Sequence, residues 1–290
     1  MPRANSNGLD LEYETFGSAD DPALVLVMGL GAQMINWDND FCGLLAGAGF
    51  RVIRFDNRDI GLSTYLDDLP VPDLTALLGG DLSQAPYGLP DMADDVAGLL
   101  DALGISQAHL AGASMGGMIV QQFAINHPAR LLSLCSIMST TGDPTVGSAT
   151  PEALGALMRP AATSREEAIE QGAIGSVIIG SPGFPLSEEE RRAKAAASYD
   201  RAFHPAGGAR QTAAIISSHD RTEGLRTVSV PTLVIHGEAD PLVDQSGGKA
   251  TAAAVPDSEL VIIPGMGHDL PRPLWPTFVE SIVRNARRAA

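Results

Sequence analysis

The sequence is poor in aromatic residues, in basic residues and in cysteine. Aromatic residues make up 5% of the chain, and 19 Lys and Arg stand against 35 Asp and Glu, a formal net charge of −16. A field of that sign repels phosphate backbones and anionic lipids, so nucleic acid and membrane surfaces are poor partners and neutral or apolar small molecules are favoured. The two cysteines, Cys42 and Cys135, are expected to be buried free thiols of a cytosolic protein.

Long apolar runs are missing as well. No stretch approaches the roughly 18 uninterrupted apolar residues of a membrane span, and the N-terminus has no signal-peptide core, so we expect a cytoplasmic protein. No His, Cys and Asp spacing resembles a zinc site, and the glycines of residues 28–31 do not form a dinucleotide motif, so neither a metal nor a dinucleotide is expected. The sequence does not indicate the oligomeric state.

Strand and helix patterns alternate through the first half of the chain. Residues 9–16 alternate apolar and polar, residues 23–28 are a continuous aliphatic run, and residues 89–103 have the charge and Pro/Gly pattern of a helix. Further alternation follows up to residue 138. This order predicts an α/β fold with a mostly parallel sheet and helices on both faces.

The pattern breaks between residues 142 and 224. No apolar strand run occurs there, and the sequence predicts helices instead, two of them over residues 165–178 and 186–203. Strand signals resume at residues 230–236 and 259–263. We therefore expect a core built from residues 1–141 and 225–290, interrupted by a helical insertion at residues 142–224 that acts as a cap.

The strongest local motif is GASMG at residues 112–116, which lies between a predicted strand and a predicted helix. A nucleophile on so sharp a turn brings its flanking positions too close to neighbouring elements for a Cβ, so glycines two before and two after remove the clash. The motif predicts that Ser114 is a nucleophile. The alternative is a Gly-rich structural turn.

A nucleophilic serine needs a base, and the base needs an orienting acid. Asp240 and His268 each follow a predicted strand, at the sheet edge where α/β proteins place their sites, and the order Ser, Asp, His fits the motif. Taken singly, the aspartate could be a helix N-cap and the histidine a solvated loop residue. Asp143 is a rival acid, and Glu238 is a weaker one.

The early loop after residue 28 leaves the sheet at the same edge. Its Leu30 N–H is a candidate oxyanion donor, with the Met115 N–H as the second; the alternative is an ordinary strand-to-helix turn. Apolar residues near these loops could line a substrate pocket, although Met and Ile fill cores by default. The pocket candidates are Gly29, Met34, Trp37, Ile178 and Met266.

Six segments carry a family resemblance: VMGLGA, FRVIRFDNRDIGLST, HLAGASMGG, INHPARL, VPTLVIHGEADPLV and IPGMGH. They resemble the serine α/β-hydrolase superfamily, and in detail the bacterial aclacinomycin-methylesterase-like carboxylesterases. The resemblance implies an eight-stranded sheet, a helical cap over the site, no cofactor and hydrolysis of a carboxylic ester. The family's triad carries over onto Ser114, Asp240 and His268, and its oxyanion amides onto Leu30 and Met115.

One loop departs from the commoner relatives, which have Gly where Asp59 stands. We interpret residues 56–63 as scaffolding beside the site, with Asp56 and Arg58 making structural hydrogen bonds. The sequence thus predicts a serine esterase acting on small to medium apolar esters. A lactonase, thioesterase or perhydrolase would use the same three residues, and a ligand-binding protein on a hydrolase fold is the non-catalytic alternative.

Overall fold

The structure is a computed structural model that describes residues 2–289, and its centre is an eight-stranded sheet. The strands are β1 Arg3–Ser6, β2 Leu9–Phe16, β3 Ala23–Val27, β4 Arg51–Phe55, β5 Ala108–Ala113, β6 Leu131–Ile137, β7 Thr232–Gly237 and β8 Glu259–Ile263. Their order across the sheet is β1-β2-β4-β3-β5-β6-β7-β8. Strands β1 and β2 are antiparallel to their neighbours, and all the others are parallel. The predicted mostly parallel sheet is confirmed.

The helices lie between and beside these strands. They are α1 Asn39–Gly47, α2 Leu74–Leu78, α3 Leu89–Ala102, α4 Met115–Asn126, α5 Pro151–Leu157, α6 Arg165–Ile179, α7 Glu188–Arg201, α8 Pro205–Ile216, α9 Thr222–Leu225, α10 Ser246–Ala254 and α11 Trp275–Arg287.

Two hydrophobic layers cover the faces of the sheet. Successive side chains of a strand point to opposite faces, and β3 shows this directly. Val25 and Val27 pack with residues of α3 and α4, whereas Leu24 and Leu26 pack with residues of α1 and α11. Because β3 is covered on both sides, its sequence is an unbroken aliphatic run.

Most predicted elements form within one or two residues of the expected bounds. Strands β2 and β8 have the predicted bounds. Helix α1 begins at Asn39, where the Asp38 side chain accepts a hydrogen bond from Asp40 N and caps the helix. Strand β1 was not predicted. Its sequence RANS has no apolar run, and it forms by pairing with β2 at the edge of the sheet.

Residues 142–224 are helical, with no strand. Helices α6 and α7 pack against each other, and Arg165 on α6 forms an ion pair with Asp200 on α7. The insertion is joined to the core by a buried ion pair between Arg210 of α8 and Asp59. That the insertion forms a separate cap domain stays a prediction.

Both cysteines are free and buried, as predicted. Burial raises the pKa of the Cys42 thiol to about 12, so this thiol is unreactive at neutral pH. Within residues 2–289, no helix is long and apolar enough to cross a membrane. The same residues contain no cluster of three or more His, Cys, Asp or Glu side chains that could hold a metal ion.

Candidate active site

Ser114 occupies the sharp turn between β5 and α4. Its backbone has φ 57° and ψ −121°, a conformation that side-chain-bearing residues rarely adopt and that costs free energy unless the surroundings impose it. The Ser114 N–H donates to Ile137 O at 2.9 Å, which ties the turn to the neighbouring strand β6. The serine is half-buried. Such strain is typical of a functional residue.

The glycines of the motif make this turn sterically feasible. A Cβ on Gly112 would lie 2.1 Å from Gly116 O, and a Cβ on Gly116 would lie 2.1 Å from Val27 O. Both contacts are with backbone that cannot move away. The structure therefore confirms the steric reason expected for the motif: a Cβ at either glycine would clash with neighbouring backbone.

Ser114, His268 and Asp240 form one connected line of hydrogen bonds. His268 Nε2 lies 2.9 Å from Ser114 Oγ, and His268 Nδ1 lies 2.7 Å from Asp240 Oδ2. Because an ionised carboxylate can only accept, Nδ1 carries the hydrogen and Nε2 is left to accept from the serine hydroxyl. This arrangement can take a proton from Ser114 and return it to a leaving group.

Asp240 is held as a buried carboxylate. Its Oδ1 accepts from the Leu242 and Val243 N–H groups, both at 2.9 Å, and its side chain is fully buried. Burial raises the pKa of this carboxyl, but the nearby His236 imidazole and the hydrogen bonds from His268 and the backbone outweigh burial and lower the pKa to about 2. The group is thus ionised at neutral pH.

His236 lies behind this acid. It falls at the end of the predicted strand of residues 230–236, and its side chain is fully buried in β7. Its Nε2 donates to Val243 O at 2.7 Å and lies 3.5 Å from Asp240 Oδ2. His236 therefore contacts the loop that presents the acid, a role that a histidine within a strand does not signal.

The rival acids take other positions. Asp143 accepts from the N–H and hydroxyl of Thr145 in a turn, and Glu238 is exposed. His268 Nδ1 has Asp240 as its partner instead.

The two predicted oxyanion donors are the backbone N–H groups that follow Gly29 and Ser114 in the chain. Among residues 2–289, no acceptor takes the N–H of Leu30 or of Met115. Gly29 packs against Ser114, since a Cβ on this glycine would lie 3.0 Å from Ser114 Cβ and 3.5 Å from its Oγ. Two backbone donors are thus free near the serine, at the start of α4 and in the loop after β3.

The loop of residues 28–34 is held by side chains from elsewhere in the chain, and it is called here the oxyanion loop after its predicted donor, the Leu30 N–H. Asn57 donates to Met28 O at 2.9 Å, and Asp56 accepts from Met34 N at 2.7 Å. Gln211 of α8 accepts from Gly31 N at 2.9 Å. The sequence interpretation of residues 56–63 as scaffolding agrees with these contacts.

Two buried ion pairs complete this scaffold. Arg58 contacts both carboxylate oxygens of Asp95, at 2.6 and 2.7 Å. Arg210 contacts both oxygens of Asp59, at 2.8 and 2.9 Å, and this hydrogen bonding lowers the pKa of Asp59 in spite of its burial. Asp59 is thus bound to the insertion.

The loop that carries His268 also contacts the insertion. The His268 N–H donates to Ile179 O at 2.7 Å, and the Gly267 N–H donates to Ser181 Oγ at 2.8 Å. Ser181 in turn hydrogen-bonds Asp269. These partners are 86 or more residues apart in the chain, so no local pattern in the sequence predicts them.

The pocket candidates divide into two groups. Trp37 and Met266 belong to the packed cluster under α1 and α11, and Trp37 stacks on Phe41. Their positions correct the pocket assignment, because both side chains are fully buried among core residues. Met34 on the oxyanion loop is fully buried as well, so its assignment to the pocket is corrected for the same reason. Gly29 adjoins Ser114, and Ile178 is half-buried at the end of α6. A pocket role for these two stays a prediction.

Comparison with known proteins identifies relatives over nearly the whole chain. A family model described as the alpha/beta hydrolase fold matches residues 22–271. A rhodomycin D methylesterase of Streptomyces sp. (strain C5) is 28% identical, over 95% of this chain and 94% of that protein. A 3-oxoadipate enol-lactonase of Acinetobacter baylyi (strain ADP1) is 29% identical, over 87% of this chain and 84% of that protein.

A solved structure agrees with these relatives on the fold. The crystal structure of the enol-lactonase from Burkholderia xenovorans LB400 superposes with a TM-score of 0.74 and 24% identity, over 99% of this chain and 100% of that one. The resemblance to methylesterase-like carboxylesterases is confirmed by the curated relatives. The chain belongs to the α/β hydrolase fold family and is a hydrolase of the esterase and lactonase type.

Proposed function

We propose that this chain is a serine esterase that cleaves carboxylic esters of small to medium apolar substrates through an acyl-enzyme. The observation that carries the proposal is the continuous line Ser114 Oγ, His268 Nε2 and Nδ1, Asp240 Oδ2, with contacts of 2.9 and 2.7 Å. A strained serine backed by a base and a buried acid has few structural uses, because a ligand-binding protein needs none of the three.

The first half-reaction forms the acyl-enzyme. His268 takes the hydroxyl proton of Ser114 as the serine oxygen attacks the ester carbonyl carbon. The negative charge that develops on the carbonyl oxygen is accepted by the N–H groups of Leu30 and Met115. His268 then gives its proton to the alcohol oxygen, and the carbon–oxygen bond to the alcohol breaks.

The second half-reaction releases the acid. Water attacks the acyl carbon while His268 takes one of its protons, and that proton returns to Ser114 when the serine ester bond breaks. Asp240 fixes the imidazole tautomer throughout and stabilises the imidazolium, because its carboxylate is ionised and cannot rotate away from two backbone N–H groups.

The substrate preference rests on charge and on the insertion. A net charge of −16 disfavours anionic esters, and the half-buried Ile178 at the end of α6 offers apolar surface on the insertion. In this proposal residues 142–224 act as the cap that selects the ester, and the protein acts in the cytoplasm. The methylesterase relative supports an ester of a small alcohol.

A lactonase is the second candidate, and the enol-lactonase relative favours it specifically. A lactone is a cyclic ester, so the same attack by Ser114 opens the ring and the alcohol stays attached to the acyl group. Only the shape of the pocket separates the two activities.

Intact mass after treatment with a fluorophosphonate probe tests the nucleophile. Ser114 should displace fluoride and gain one adduct, Ser114→Ala should gain none, and Ser83→Ala, which changes an exposed serine, should behave as the wild type. The same samples are assayed with p-nitrophenyl acetate, butyrate and octanoate and with a γ-lactone. No adduct and no turnover would refute the enzyme mechanism; an adduct with lactone turnover alone would replace the esterase by the lactonase.

A further inference from the structure

Gln211 stands out among the residues that the proposed mechanism does not use. It lies on α8 in the insertion, is fully buried, and is separated from its partner Gly31 by 180 residues of chain. Its amide makes two hydrogen bonds: Oε1 accepts from Gly31 N at 2.9 Å, and Nε2 donates to Arg58 O at 2.9 Å. Only one orientation of the amide satisfies both partners, because Gly31 offers a donor and Arg58 an acceptor.

The contact at Gly31 fixes one peptide plane of the oxyanion loop. Residues 29–32 form a turn in which Ala32 N donates to Gly29 O at 3.3 Å, and Gly31 at the third position has φ +66°. A positive φ at that position belongs to a type II turn, whose central peptide is rotated by about half a turn relative to type I. Gln211 accepts from the N–H of this central peptide and so holds the type II arrangement.

Leu30 lies between the two peptide planes that this turn defines. Gly29 O is held by Ala32 N on one side, and the Gly31 N–H is held by Gln211 on the other. The direction of the Leu30 N–H therefore depends on both of these hydrogen bonds. Other supports of the loop act further away, since Asn57 contacts Met28 and Asp56 contacts Met34.

We propose that Gln211 is a positioning residue for the oxyanion donor at Leu30, so that the insertion takes part in stabilising the transition state. This proposal rests on the esterase function above. A neutral amide suits the role, because it accepts the Gly31 N–H without placing a negative charge beside the developing oxyanion.

The test compares ester turnover with binding of a transition-state analogue. A trifluoromethyl ketone adds Ser114 Oγ to its carbonyl carbon and places an oxyanion where the ester transition state has one, so its inhibition constant reports the oxyanion donors. The variant is Gln211→Met, which keeps the volume and removes both hydrogen bonds. The matched control is Thr212→Val on the same helix, because the Thr212 hydroxyl donates only to Gly208 O within α8.

In Gln211→Met we expect kcat to fall about tenfold, less than complete loss of an oxyanion donor, while KM changes by less than twofold. The inhibition constant of the ketone should rise by the same factor, and Thr212→Val should leave both unchanged. If KM rises with kcat unchanged, or if kcat falls and the ketone binds as before, Gln211 has only a structural role and the proposal fails.

Two further arms keep the outcome clear. Gln211→Asn retracts the amide by one methylene and retains its polarity. If the Met variant does not fold, this variant must give the same fall in kcat and the same rise in the inhibition constant of the ketone. Wild-type enzyme that neither turns over esters nor binds the ketone, with Ser114→Ala as reference, would overturn the proposed function and the positioning role together. Normal wild-type activity with unchanged Gln211 variants would overturn the positioning role alone.

Discussion

The two sides of Ser114 differ in the kind of group that the proposed mechanism uses there: side chains on one side and backbone N–H groups on the other. On one side, His268 and Asp240 present side chains to the serine in the proposed mechanism, with a carboxylate whose pKa is lowered to about 2 and direct contacts of 2.7 and 2.9 Å. On the other side, the proposed oxyanion donors Leu30 and Met115 offer only backbone N–H groups. We call these the histidine side and the oxyanion side.

The difference determines what mutation can remove. Substitution deletes an imidazole or a carboxylate outright, whereas substitution by any residue other than proline leaves a backbone N–H in place. Short of a proline, the oxyanion side is weakened through the residues that hold its backbone, such as Gln211 and Asn57. We therefore expect large losses from single changes on the histidine side and graded losses from changes on the oxyanion side.

The largest effect is expected from removing the reacting groups of the histidine side. Ser114→Ala and His268→Ala should each lower kcat by roughly 10,000-fold or more, and the double variant should be no worse than either, because the two side chains act as one unit. Steady-state kinetics at matched active-site concentration measures this. Additive losses in the double variant would mean that the two residues act independently. The histidine side would then not be a single unit that contrasts with the oxyanion side.

Asp240→Asn should come next, with kcat lower by about 1,000- to 10,000-fold. The amide keeps the shape of the carboxylate but favours the wrong tautomer of His268 and does not stabilise the imidazolium. The rate on a p-nitrophenyl ester is the readout, with Glu238→Gln on the same loop as the control. A loss of tenfold or less would indicate that another group orients His268.

The same variant tests the electrostatics of the acid. The pKa of Asp240 is lowered to about 2 in the folded protein, below the roughly 3.9 of an unfolded chain, so its ionised form stabilises the fold above pH 4. This contribution of about 2 to 3 kcal/mol is lost as the pH falls through 2. Urea unfolding of wild type and Asp240→Asn should therefore show a stability difference that shrinks between pH 5 and pH 2; a constant difference would refute the lowered pKa.

The histidine side was also the more predictable from the sequence. GASMG is a local motif, because its glycines avoid clashes with backbone atoms of the same turn and of β3. Asp240 and His268 follow strands that have clear aliphatic patterns. Position along a strand is local information, and parallel strands bring their ends to one edge. That is why the three residues could be named before their contacts were known.

The oxyanion side was predicted less completely because its supports are distant in the chain. Leu30 and Met115 could be named, but nothing near Gln211 indicates that its amide reaches a loop 180 residues earlier. Trp37 was assigned to a pocket and lies in the core, because an apolar residue after a loop has the same pattern in either place. The bounds of α6 and α7 were nearly right, whereas their contacts with the core could not be read from helix periodicity.

A smaller effect is expected from His236. His236→Phe keeps the ring volume and removes the hydrogen bond to Val243 O, so the loop that presents Asp240 loosens and kcat should fall about tenfold, comparable to one buried hydrogen bond. His236→Gln restores a donor at a similar distance and should recover most of the rate. Equal losses in both variants, matched by equal losses in thermal stability, would assign His236 to packing alone.

The smallest effect is expected from a change at Ser181. This change tests whether the insertion supports the histidine side in the way that Gln211 supports the oxyanion side. Ser181→Ala removes the acceptor for Gly267 N–H and the partner of Asp269, but leaves the His268 N–H bonded to Ile179 O. With one backbone anchor kept, kcat should fall only about threefold, since a single hydrogen bond contributes about 1 kcal/mol and part of it is recovered by relaxation.

Ketone inhibition separates the two sides in this variant. Ser181→Ala leaves the contacts that hold the Leu30 N–H in place, so the inhibition constant of the ketone should stay near that of the wild type while kcat falls. In Gln211→Met the inhibition constant should rise by the same factor as kcat falls. If both variants raise the inhibition constant in proportion to the loss of kcat, the insertion acts on the site as a single rigid support, and the division into a histidine side and an oxyanion side would apply to the chemistry but not to the scaffold.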